Sequence, residues 1–315
     1  MKINLKVKEG NPRRTALLAV AALIGFLFFQ SCKEKKKKDD LSRFTSSITR
    51  FAVDESFRPI VDEELYIFEA LNPGMHPVIT YVPENTAVNL LLADSVRVLL
   101  ISRDFTSEEY KALKSRNLLP IVSRFAIDAV TLIVNKSSVD TTITVSDIKK
   151  MLNGNAKQDK NIVFDNPNSG LVRYLKQLSG NNELKQKNIF ALKSNKEVIK
   201  YVSQHANAIG ITGFSWLNDP DKDYAGAVEN VKIVAVRNDE GKNPSTQYFT
   251  PSQNTLALKQ YPLTRDLYFI NCTGKYGLGM KFDMFLRGDR GQRIILKSGL
   301  LPDNIPAREI NIVTK

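Results

Sequence analysis

Residues 78–114 read VITYVPENTAVNLLLADSVRVLLISRDFTSEEYKALK. Val78–Val82 is rich in β-branched and aromatic residues and Val96–Ile101 is almost wholly apolar, which are strand compositions. Between them Thr86–Ala93 reads as a short helix. Thr106–Lys114 reads as another, with Thr106 as N-cap and Glu109 three residues on, the spacing of a capping box. Upstream, Ile48–Val53 reads as a strand and Phe57–Leu71 as a helix carrying Ile60, Val61, Leu65, Phe68 and Leu71 on one face. Strands and helices alternating in immediate succession imply an α/β domain with a parallel sheet and helical crossovers.

The same alternation continues downstream. Ala129–Val134 is a predicted strand, and Val145–Leu152 a helix capped by Thr144 or Ser146 and ended by Asn153-Gly154. Ile162–Phe164 is a strand, and Asn166-Pro167-Asn168-Ser169-Gly170 leads into a helix over Leu171–Leu178. Asn195–His205 reads as a helix, Ala208–Thr212, Val231–Val236 and Leu267–Ile270 as strands, and Phe282–Ser298 as one helix stopped by Gly299 and Pro302. Residues 238–252, with Asn, Pro and Gly, read as a surface excursion, and no repeat at solenoid spacing is present.

The 315 residues carry 45 Lys+Arg against 33 Asp+Glu, a formal charge of +12. That excess is concentrated at the start of the chain: residues 1–31 hold a net +4 and Lys33–Arg43 a further +3. The remaining +5 over residues 44–315 is an ordinary solvated surface, so nucleic acid is not an expected partner. Two His and two Cys, Cys32 far from Cys272, cannot assemble a zinc site, and neither metal nor cofactor is expected. Ser102 lacks a G-x-S-x-G elbow and no catalytic triad or acid/base pair stands out, so the chain is not expected to be an enzyme.

A basic stretch ending at Arg14 precedes the apolar run Ala16–Phe29, and Gln30-Ser31-Cys32 follows. This is a signal-peptide layout, and the run is too short for a stable membrane span. A Cys directly after a small residue at that point resembles the lipobox of bacterial lipoproteins, which implies acylation of Cys32, attachment to the lipid bilayer and a place in the cell envelope, on the periplasmic face. An uncleaved signal anchor is the alternative. Lys33–Arg43 reads as a solvated tether. With Cys32 acylated, Cys272 has no partner and is expected to be a small, half-buried residue.

Strand-to-helix turns in a parallel sheet bring backbone N–H groups and small hydroxyls to helix N-termini at one sheet edge, a geometry that favours anions. The turns here are Asp54-Glu55-Ser56, Glu84-Asn85-Thr86, Ser102-Arg103-Asp104 and Asn168-Ser169-Gly170. Ser169 can donate from its hydroxyl, and Gly170 permits a close backbone approach. Trp216 and Phe214, beside a strand, read as core.

The order of these segments, with Ala126–Val130, Ile133-Val134-Asn135, Ala208–Ile211, Tyr261-Pro262-Leu263-Thr264-Arg265, Gly291–Ile294 and Gly299–Pro302, resembles the phosphate-binding proteins of ABC transporters, especially their lipoprotein relatives in the Bacteroidetes. The resemblance spans roughly residues 46–305. It implies a type 2 periplasmic-binding-protein fold, with lobe I at 44–124 plus 262–315 and lobe II at 125–261. Crossings near Arg124–Asp128 and Tyr261–Arg265 would join the lobes, and the ligand cleft would lie between them. It further implies a small oxyanion ligand, phosphate foremost, and an ABC permease as partner. Carried over by position, the ligand contacts are Ser56, Thr86, Ser102, Ser169 and Gly170. Arg103 stands where the family has an Asp, Leu171 where it has a Thr, and Asp54-Glu55 where a Gly-Ser type loop is usual. Arg103 is itself a candidate anion contact through paired N–H donors. The alternative is an interaction or sensory module of the envelope on the same fold.

Overall fold

The computed structural model describes residues 49–155, 160–242, 244–274 and 276–306, all within the compact unit Phe44–Lys315. Cys32 and the tether at 33–43 lie outside the described residues. The first half of the fold runs β1 (Arg50–Asp54), a 3-10 turn (Glu55–Phe57), α1 (Arg58–Leu71), β2 (Val78–Val82), α2 (Glu84–Leu92), β3 (Val98–Ile101) and α3 (Ser107–Ser115). β1 pairs in parallel with β2 on one side and β3 on the other. Side chains alternate across these strands. Phe51, Val53, Val98 and Leu100 join a core with Ile60, Val61 and Phe68 of α1. Ala52, Leu99 and Ile101 face the other way onto Ala87, Val88 and Leu91 of α2 and Leu113 of α3. Burial on both faces is why β3 reads as an unbroken apolar run.

β4 (Ile121–Asn135) then crosses from one half of the sheet to the other. Beyond it come β5 (Thr142–Thr144), α4 (Val145–Leu152), β6 (Asn161–Phe164), α5 (Gly170–Ser179), β7 (Ile189–Ala191), α6 (Asn195–Gln204) and β8 (Ala208–Gly213). α7 (Ser215–Asn218), α8 (Ala225–Val228), β9 (Val231–Ile233), β10 (Ala235–Arg237) and α9 (Gln253–Ala257) follow. The chain closes with β11 (Thr264–Asn271), α10 (Leu278–Arg287), α11 (Asp289–Lys297) and β12 (Leu301–Pro302). The main sheet has the order β2-β1-β3-β11-β4-β8-β6-β7, with β9 and β12 also paired to β4, while β5 and β10 form a separate parallel pair. β11 returns antiparallel between β3 and β4, and its Arg265 stands opposite Asp128.

Four expectations of the fold are corrected. The strand foreseen at Ala129–Val134 extends over Ile121–Asn135, because β11 supplies a partner for its first half, where Ser123 and Arg124 interrupt the apolar run and Ile121 and Arg124 are exposed. The helix foreseen at Phe282–Ser298 is two helices broken at Gly288, which is extended at φ −76°, ψ 167°. The strand foreseen at Val231–Val236 is two, β9 pairing with β4 and β10 with β5. Cys272 is a free thiol at 3% exposure, more deeply buried than expected, and burial pushes its pKa up to about 11, which leaves it unreactive.

Candidate functional site

The C-terminal ends of β1 and β3 and the N-terminal turn of α5 meet where the two halves of the sheet join. Asp54, the last residue of β1, is fully buried. Its Oδ1 accepts from the Ser56 backbone N–H at 2.9 Å and from Ser56 Oγ at 2.8 Å. Its Oδ2 accepts from the N–H of Gly170, the first residue of α5, at 2.7 Å. A carboxylate therefore sits on the positive end of a helix in the opposite half of the sheet. Burial raises the Asp54 pKa, the nearby Glu84 charge raises it further, and Arg265 and the two backbone donors oppose both.

Glu84 opens α2 and is also fully buried. Its Oε2 accepts from the Ser102 N–H at 2.8 Å and from Ser102 Oγ at 2.6 Å, and its Oε1 accepts from Arg173 Nε at 2.6 Å. Arg173 also donates from Nη2 to the Ser102 carbonyl at 3.0 Å and to its Oγ at 2.9 Å. Burial alone would raise the Glu84 pKa, but Arg173 and the Ser102 donors outweigh it and hold Glu84 ionised. Gly170 is the pivot. A Cβ there would stand 2.6 Å from Glu84 Oε2 and 2.9 Å from Asp54 Oδ2, and closer still to Ser102 Oγ. Only glycine lets these groups come together.

A second layer supports the first. Ser169 caps α5 by accepting from the Val172 N–H, and its Oγ donates to Asp165 Oδ1 at 2.6 Å. Asn195 Nδ2 bridges Asp165 and Glu55, at 3.1 Å to each. Burial, with Asp54 nearby, pushes the Asp165 pKa up to about 8, against the opposing pull of the Ser169 hydroxyl and Arg265. Behind them Arg265 grips Asp128 Oδ2 through Nε at 3.0 Å and Nη2 at 2.8 Å. The indole Nε1 of Trp216 donates to the Ser56 carbonyl at 2.9 Å, joining the two halves once more. Among the described residues no group of His, Cys, Asp and Glu is placed to hold a metal ion, and no helix is long and apolar enough to cross a membrane.

The profile of the PBP superfamily domain matches residues 40–290 of this chain, most of its length. The chain belongs to the PBP superfamily. Among curated relatives, the protein SphX of Synechococcus elongatus is 24% identical over 279 residues, covering 83% of this chain and 76% of that protein. The phosphate-binding protein PstS of Borreliella burgdorferi is 25% identical over 261 residues, covering 77% and 85%. A substrate-binding protein of a phosphate ABC transporter from Clostridium perfringens, solved with bound phosphate, superimposes with a TM-score of 0.68 at 19% identity, over 81% of this chain and 99% of that one. The mixed α/β fold is thus that of the periplasmic binding proteins, and members of this kind are binding proteins rather than enzymes.

Within this superfamily fold, Ser56, Ser102, Ser169 and Gly170, four of the positions carried over from the family resemblance, lie in one place. Their donors, however, are engaged by the chain's own carboxylates. Thr86 lies half-buried in the first turn of α2 and is not among the residues those carboxylates engage. Arg103 turns to Glu109, to which it donates twice at 2.7 Å, and its Nε is 3.6 Å from Glu84. The guanidinium that enters the junction is that of Arg173, which sequence reasoning missed. The usable signal was its place four residues after Ser169, on the same face of α5. Asp54, Glu84, Asp165, Asn195 and the Arg265–Asp128 pair were also missed as site residues.

Proposed function

We propose that this chain is a solute-binding protein of the bacterial cell envelope that takes a small oxyanion, phosphate foremost, between two lobes and presents it to an ABC permease. The names of the relatives support the ligand class and the partner. The lobes are 44–124 plus 262–315 and 125–261, crossing near Arg124–Asp128 and Tyr261–Arg265. One observation carries the reading: Ser56, Ser102, the N-terminus of α5 and Arg173 aim their donors at anionic groups in one buried spot. Charge-assisted bonds of this kind contribute roughly 1.5–3 kcal/mol each, so Arg173→Ala is expected to weaken phosphate binding about ten- to a hundredfold. Arg103→Ala is expected to change it little, since Glu109 already holds that side chain. Calorimetric titration of the full chain in detergent with phosphate, sulfate and small carboxylates checks both. No heat from any of these, or full affinity in Arg173→Ala, overturns the receptor reading.

The internal engagement of the donors favours a second reading, an interaction or sensory module that keeps the two-lobed fold. A folded protein silent to every anion would select it.

Attachment to the membrane through an acylated Cys32 belongs to the same proposal. The support is the Ser31-Cys32 pair after the apolar run. Cys32→Ala is expected to move the protein from the membrane pellet to the supernatant, because stable anchoring needs more than one acyl chain. Retention in the pellet after a high-salt wash would rule the anchor out.

A further inference from the structure

We infer that Asp54 and Glu84 are tethered occupants of the anion site, so that the two halves of the fold close on the chain's own carboxylates without any solute. This rests on the reading of Ser56, Ser102, Gly170 and Arg173 as the anion donors. The geometry is that of a filled site. Asp54 takes the N–H at the start of α5 together with both donors of Ser56. Glu84 takes both donors of Ser102 and the Nε of Arg173. Ser56 and Asp54 are fully buried, Ser102 and Ser169 nearly so, and at Gly170 there is no room even for a methyl group.

Two of these contacts span the halves of the sheet, Asp54 to Gly170 and Glu84 to Arg173, and they hold together elements far apart in the chain. A free oxyanion entering here must displace both carboxylates and bear their repulsion. Asp54 and Glu84 are therefore the specificity-determining residues of the site: they set which anion, if any, is admitted, and they favour closure when none is present. The Asn85 N–H donating to the Asn168 carbonyl at 3.1 Å and Trp216 on Ser56 add to the same closed junction.

The chain has one tryptophan, Trp216, and its indole nitrogen lies on that junction, so its emission reports opening. The test is acrylamide quenching of Trp216, with hydrogen exchange at the Gly170 amide, on the full chain stripped of phosphate by refolding from denaturant. In the solute-free protein Trp216 is expected to be shielded, and the Gly170 amide to exchange at least about a hundredfold more slowly than in an unstructured chain. In Asp54→Ala/Glu84→Ala the shielding falls, Gly170 exchange quickens about tenfold or more, and millimolar inorganic phosphate restores both. Should that variant not fold, Asp54→Asn/Glu84→Gln removes both charges while keeping the shape of the side chains, and Gly170 exchange is expected to quicken there too, by less than in the alanine variant. A solute-free wild-type protein with exposed Trp216 and freely exchanging Gly170, both protected only on adding phosphate, overturns the inference. These readings need no ligand in the wild-type protein. A chain silent in calorimetry but shielded when solute-free would sink the receptor reading and leave the tethered occupants standing.

Discussion

Arg265→Leu is expected to destabilise the fold by about 3–5 kcal/mol, the usual loss when one partner of a buried ion pair is removed and the other stays charged. Arg265 and Asp128 face each other across β11 and β4 and are 2% and 1% exposed at their side chains. Burial pulls the Arg265 pKa down, but Asp128 and Asp54 more than offset it and keep the guanidinium charged. Without it Asp128 Oδ2 loses both guanidinium donors, while Oδ1 keeps the Ala129 and Phe214 N–H groups. Asp54 and Asp165 also lose a cation that opposes their upward shift. Arg265→Leu/Asp128→Leu should cost clearly less than the two single changes added together, because no charge is stranded. Urea unfolding of the three variants measures this. An Arg265→Leu variant within about 1 kcal/mol of wild type would show that the junction tolerates an unpaired Asp128.

The fold was legible because its strands and helices carry local signals that agree with their burial. Val145–Leu152 is a helix with Thr144 as its cap and Asn153-Gly154 at its end, as expected. The capping box at Thr106 and Glu109 is present, with Glu109 returning a bond to the Thr106 N–H. The misses have two causes. β4 is half exposed at its start, β10 follows a change of partner at Val234, and Gly288 breaks a helix whose apolar spacing runs on across it. The two strand misses depend on which distant strand is alongside, which no window of sequence holds, whereas the helix break lies at a local signal, Gly288 followed by Asp289, that the continuing apolar spacing outweighed.

The site was half legible for a related reason. Ser56, Ser102, Ser169 and Gly170 are donors at helix starts, and turn chemistry exposes them. Asp54 and Glu84 sit in the same turns but read there as loop residues, because the expected anion was assumed to come from solvent. Between Arg103 and Arg173, sequence position favoured the first. What decided was Glu109, six residues beyond Arg103, which takes both terminal nitrogens of that side chain, so that Arg103 keeps only a 3.6 Å ion pair to Glu84 while Arg173, arriving from the other half of the sheet, donates to it at 2.6 Å.

Glu64→Met is expected to stabilise the protein at pH 8 and to flatten its pH dependence. Glu64 lies on the buried face of α1 with Ile60, Val61 and Phe68, is fully buried, and neither carboxylate oxygen has a hydrogen-bond partner among the described residues. Burial, with Glu63 adjacent, pushes its pKa from 4.5 up to about 9. The folded state therefore holds a proton that the unfolded chain releases above pH 4.5. Folding carries no such penalty below that pH, loses stability as the pH rises toward 9, and levels off beyond it. At pH 8 the linkage amounts to about 3–5 kcal/mol. Methionine keeps the length of the side chain and has no proton to bind. Asp165, pushed up to about 8 by burial and by Asp54, acts in the same direction, so some fall in stability with pH should persist in Glu64→Met. Glu84 and Glu109, whose pKa values are lowered, act oppositely and stabilise less as acid protonates them. Unfolding free energies measured from pH 5 to 8.5 distinguish the cases: a Glu64→Met profile parallel to that of the wild type would mean that Glu64 titrates in the folded protein as it does in water.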